Sequence, residues 1–74
     1  MSSIVEVFRT NITSENIALD IVSEIHSMFP EISVNFDLDD CDKILRLVTP
    51  SYDYVPKVAS VLQNNGYYCE VLPD

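Results

Sequence analysis

A single glycine, Gly66, serves the whole 74-residue chain. A glycine-rich loop that cradles phosphate through bare backbone is therefore excluded. Histidine also occurs once, at His26, on the polar side of a helical stretch, so no Ser-His-Asp or Cys-His set can be assembled around it. Only four basic residues stand against twelve acidic ones, a net charge of −8. That balance repels a phosphate backbone and an anionic membrane surface, so neither nucleic acid nor membrane is expected as a partner. No run approaches the ~18 apolar residues that a membrane span needs. Met1-Ser2-Ser3-Ile4 carries neither a basic segment nor a long apolar one, so no secretory signal is read there and the expected location is the cytoplasm. The two cysteines, Cys41 and Cys69, are far apart in sequence and are expected to be unpaired thiols.

What is present is the composition of a small globular domain, 47% apolar and 22% charged. Residues 1–74 are expected to form one domain, which at this size buries only roughly 60% of its unfolded surface. Residues 4–9 are rich in β-branched side chains and read as a first strand. Thr10 to Ser14 suits a loop that ends in a helix cap at Thr13 or Ser14, with Glu15 in the first turn. From Ile17 the period becomes helical, with Ala18, Ile21, Val22, Ile25, Met28 and Phe29 completing one apolar arc before Pro30 stops the helix. Ile32, Val34, Phe36 and Leu38 then alternate with polar residues as a second strand. The aspartate-rich turn 39–42 leads into a third strand, 43–49, antiparallel to the second because the connection is short. Asp53 offers a cap for a second helix with an apolar stripe of Val55, Val58, Ala59 and Leu62, and Asn65-Gly66 closes it. Residues 67–72 read as the last strand.

The element order βαββαβ predicts an α+β, ferredoxin-like fold: a four-stranded antiparallel sheet of order 4-1-3-2 with both helices on one face. This topology brings three connections, 10–14, 39–42 and 64–68, to one end of the molecule, the loop end.

The order and lengths of these elements, the Val34–Leu38 strand with its Asp37-Leu38, and the Gly66-Tyr67 pair before the last strand resemble a heavy-metal-associated domain, the module of copper chaperones and metal-pumping ATPases. The resemblance spans Val5 to Leu72. That family holds its metal in a Met-Thr-Cys-x-x-Cys loop after the first strand, where two thiolates pinch one soft ion. Aligned by strand and helix, Thr10 stands at the methionine, Asn11 at the threonine, Ile12 at the first cysteine and Glu15 at the second. Isoleucine has no ligand atom, and one glutamate does not replace a thiolate pair for copper(I). The resemblance thus implies the fold without the metal site, and no metal or cofactor is expected.

Asp37, Asp39, Asp40 and Asp42 invite a calcium reading, but an EF-hand loop begun at Asp37 would place Asp42 where glycine is required and Val48 where glutamate is required. A solvated hairpin turn is the plainer account. Paired carboxylates for acid–base catalysis need a cleft that raises one pKa, which a surface turn does not supply, so no enzyme is expected. The helix-free face of the sheet is the surface on which RNA-recognition domains stack bases, but the charge here has the wrong sign. Strand alternation assigns Glu6, Phe8, Ile44, Arg46, Val48, Tyr68, Glu70 and Leu72 to that face. A shift of the third strand's parity by one residue would instead turn Ile44 and Val48 toward the helices, and the two placements stand level. The expected function is a non-enzymatic binding module that acts through a protein partner or self-association. Phe8, Tyr68 and Ile44 are its candidate anchors, and Asp39, Asp40 and Asp42 set the rate of encounter. The rival is a metal-binding, metallochaperone-like protein that uses carboxylates or intermolecular ligation by Cys41 or Cys69.

Overall fold

A computed structural model describes residues 3–39 and 41–72. Its elements follow the expected order: β1 (Ile4–Thr10), α1 (Glu15–Met28), β2 (Ser33–Asp37), β3 (Ile44–Thr49), α2 (Tyr54–Asn64) and β4 (Cys69–Val71). Ser14 caps α1 from an extended backbone, its side chain accepting from the Ile17 amide at 3.4 Å. The buried stripe of α1 is Ala18, Ile21 and Ile25, with Ile17 and Val22 at its margins. Met28, expected on that stripe, is 53% exposed. Phe29 takes the inner position instead, with its ring edge-on to Tyr54 at 5.7 Å.

The entry to α2 departs from expectation. Asp53 is already in helical conformation and makes no side-chain cap bond. The turn before it is organised by hydroxyls: Thr49 Oγ1 donates to the Ser51 carbonyl at 2.9 Å and accepts from the Ser51 amide at 3.2 Å. Ser51 Oγ in turn accepts from the Asp53 amide at 3.1 Å. The buried stripe of α2 is Val58, Val61 and Leu62, while Val55 and Ala59 are only partly covered. Gly66 ends the helix at φ 85°. Its amide bonds the Gln63 carbonyl at 2.9 Å and the Tyr67 amide bonds that of Leu62 at 3.0 Å, the paired closure that a left-handed residue allows.

The strands lie in the order β2-β3-β1-β4, all neighbours antiparallel. Register decides which side chains meet the helices. Phe8 opposes Leu45, Glu6 opposes Leu47, Phe36 opposes Leu45 and Val34 opposes Leu47. Leu45 and Leu47 are fully buried, so this parity is the helix side. Both helices contribute to the same buried cluster with these strand residues, which makes two layers with one core. Phe8 and Glu6 are therefore not on the open face as alternation suggested. β1 has apolar residues at both parities, and its pairing with β3 turns Val5 and Val7, not Glu6 and Phe8, away from the helices. Phe8, with no exposed surface, is a centre of the core. Thr10 and Thr49 are the buried polar residues described, and both have partners. β4 is shorter than expected, only three residues, and pairs with Phe8, Arg9 and Thr10.

Candidate functional site

The loop end does gather three connections, and two consecutive residues, the last of β1 and the next, do the tying. Thr10 Oγ1 donates to the Lys43 carbonyl at 2.7 Å, and the Thr10 amide reaches the Asp42 and Lys43 carbonyls at 3.2 Å each. Asn11 Oδ1 accepts from the Tyr68 amide at 2.9 Å. The segment that resembles a metal loop is thus committed to structure. Ile12, where the resemblance placed a first cysteine, is buried in the core at 1% exposure. Glu15, at the position of the second, is exposed on the first turn of α1.

Of the acidic candidates, Asp39 is exposed, and Asp42 is half-buried and paired with Arg9 at 3.3 Å. Asp40 lies outside the described residues. The hairpin closes through Lys43, whose backbone sits at φ 52° and whose Nζ donates to the Leu38 carbonyl at 3.0 Å. Asp42 and Lys43 are thereby turned inward toward β1 and the turn itself. Cys41 is exposed on this turn, and Cys69 is half-buried on β4 with its Sγ 3.8 Å from the Ala59 carbonyl. Both thiols are free. Burial pushes the Cys69 thiol above its ordinary pKa. His26 is exposed in the last turn of α1, far from the loop end.

The open face divides into two halves. Near the loop end a row runs across all four strands: Asp37, Ile44, Arg9 and Glu70. Ile44 does face this side, but it is only 7% exposed. It sits on an inner strand between Asp37 and Arg9, and Arg9 reaches from this row to Asp42. Tyr68, at 48% exposure, donates its hydroxyl to Glu70 on the same face. That hydrogen bond, with burial and the carboxylate's charge behind it, holds the phenol above its ordinary pKa. Away from the loop end the face is apolar. Val5 opposes Val48, Val7 is two residues along, and the Leu72 amide bonds the Val7 carbonyl at 2.8 Å, which sets Leu72 beside them. Arg46, between Asn35 and Val7, is the charge at the border of the two halves. Val5 and Val7 reach this face because of the β1–β3 register, which alternation within β1 does not encode. Their β-branched alternation with Glu6 and Phe8 offered no way to choose a side without the β3 register.

Among the described residues, no three histidine, cysteine or acidic side chains converge as a metal site would require. No helix among them is long and apolar enough to cross a membrane. No family model matches the sequence, and no curated protein matches it significantly. Two solved structures do match. A C-terminal segment of the alpha subunit of aIF2 from Pyrococcus abyssi is similar over 99% of this chain and 50% of that one, with TM-score 0.50 and 14% identity. The intact alpha subunit from the same organism is similar over 99% of this chain and 34% of that one, with TM-score 0.52 and 15% identity. The chain therefore spans half of the first and about a third of the second. At such identities the likeness establishes the fold alone, and the class it defines is a small α+β domain of the ferredoxin-like βαββαβ type.

Proposed function

We propose that this domain is a non-enzymatic binding module of the cytoplasm, related to heavy-metal-associated domains but without their metal site, which acts through protein contacts on its open sheet face. The observation that carries the reading is the contiguous set Val5, Val7, Val48 and Leu72 on the side of the sheet that no helix covers. Val5 alone is 53% exposed. Contiguous apolar surface on a helix-free sheet is stabilised by removal from water, at about 25 cal/mol per Å². Exposed ion pairs contribute about 0–1 kcal/mol each, so the aspartates of the loop end add rate and salt dependence more than affinity. The anchors are Val5, Val7 and Val48, with Tyr68 toward the loop end; Ile44, in the loop-end row, and Phe8, in the core, are too buried to serve as anchors. The burial of Ile12 supports the loss of a metal loop, because a ligand at that position would have to leave the core to reach an ion.

The test pairs two measurements. Native mass spectrometry with copper(I), zinc and calcium added singly is expected to show no stoichiometric adduct. An adduct lost on Glu15→Ala or Cys41→Ser would replace this reading with the metal-binding one. A binding partner, or a second copy in sedimentation, should be lost on Val5→Lys with Val48→Lys and retained on Asp39→Asn. The opposite pattern would move the interface to the loop end.

A further inference from the structure

We infer that the cleft between α1 and β2 is a second docking surface, which takes an extended peptide of alternating basic and apolar residues as an added strand on the β2 edge. This goes beyond the reading above, since it concerns a sheet edge and a helix flank, not the open face. β2 is an outer strand of the sheet, so half of its backbone amides and carbonyls point away from β3. Beside that edge an open groove of about 420 Å³ runs between the helix and the strand. Its apolar floor and wall include Leu19, Val22 and Phe36, and Leu19 is 65% exposed. Its rim carries three carboxylates, Glu15, Asp37 and Asp39, and none of the residues lining it is basic.

The three features specify one kind of occupant. A free strand edge recognises an extended backbone. Side chains of an added strand alternate between its two faces, so every second one enters the groove against Leu19 and Phe36. The others lie on the open-face side beside Asn35 and Asp37, where a lysine or arginine would meet carboxylate. A second copy of this chain fits poorly, because it would bring the same carboxylates to the same edge on a molecule of net charge −8. A nucleic acid is repelled for the same reason. A cationic segment of another protein relieves the charge and completes the sheet. β2 has five residues, so about 17 Å of partner chain is enough to cover it.

The probe is an acetylated, amidated heptapeptide KVKIKVK, added to the intact chain and followed by amide chemical shifts and calorimetry. Saturable one-to-one binding is expected, with shifts concentrated in α1 around Leu19 and along β2. Leu19→Asp alone, and Asp37→Lys with Asp39→Lys, should each weaken it about tenfold or more. Val5→Lys, on the open face, should leave it unchanged, so failure here and failure of the open-face reading are separable. Methylating the peptide's backbone amides in one alternating set should abolish binding, and in the other set spare it. Absence of saturation up to about 1 mM would overturn the proposal. So would shifts centred on Val5, Val7 and Val48, equal binding of EVEIEVE, tolerance of both methylation patterns, or a loss confined to the charge variants.

Discussion

Replacing Phe8 by alanine is the sharpest test of how β1 faces. Phe8 has no exposed surface and stands on the helix side of an inner strand, opposite Leu45 on one side and Val71 on the other. Truncation would leave a cavity that Leu45, Phe36 and the helices cannot fill without moving the sheet. The cost is about 3–5 kcal/mol, from lost transfer free energy plus the cavity. A domain of this length has a total stability of roughly 4–11 kcal/mol, so Phe8→Ala removes about a quarter of it at the least and all of it at the most. In urea, with a slope of about 1–1.5 kcal/mol per M for so small a chain, the midpoint should fall by about 2 M or more. Val7→Ala, on the open face, should cost about 1 kcal/mol or less, since its methyl groups are only partly removed from water. Circular dichroism across a urea series measures both. If Phe8→Ala loses under about 1 kcal/mol while Val7→Ala loses 3 or more, the β1–β3 register is off by one and the faces are exchanged.

In the native chain, Cys41 should react promptly with an alkylating reagent at pH 8 while Cys69 lags by about tenfold or more, because Cys69 is partly buried and its thiol is held protonated. Mass analysis of quenched samples reads the two rates, and equal rates would contradict the placement of Cys69 under α2. The phenols of Tyr68 and Tyr54 are both raised, first by hydrogen bonds to Glu70 and Glu31 respectively. A raised folded value means that the fold favours the neutral phenol. The resulting stability is fully present below the unfolded tyrosine pKa near 10 and is lost as pH rises through the folded values. Phenolate absorbance should show Tyr68 titrating above a free tyrosine, and Glu70→Ala should bring it down. A Tyr68 midpoint indifferent to Glu70→Ala would break that pairing.

The fold was legible because its signals agree across levels. The 3.6-residue period from Ala18 to Ile25, the strict alternation from Ile32 to Leu38 and the Asn65-Gly66 stop each predict one element, and the elements allow few topologies. The faces of β1 were not legible, because Ile4, Val5, Val7 and Phe8 are apolar at both parities and only the pairing with β3 selects between them. The same ambiguity in β3 left Ile44 open to either side. Ile44 does face outward, yet it is only 7% exposed, a result its own strand pattern does not contain. Asp53 looked like a cap from composition, but the hydroxyls of Thr49 and Ser51 reach the local amides first. The groove beside β2 leaves no trace in a linear reading. It is formed by Leu19 and Val22 on one element and Phe36 on another, brought together by packing alone.

The shortness of β4 sets a hierarchy of openings within the native state. Its three residues are fastened by registered pairs with Phe8, Arg9 and Thr10, by the Leu72–Val7 bond, and by Asn11 holding the Tyr68 amide across 57 positions of sequence. Few apolar contacts back these bonds, so this strand is the segment with least to lose on detaching. Amide protons of 69–71 would then exchange with solvent by local opening, ahead of those in β3, which wait for global unfolding. Each such excursion uncovers the outer edge of β1 and the Cys69 sulfur together. Thiol labelling and hydrogen exchange at this strand would therefore report a single event, and removing the side chain of Asn11 would make it more frequent.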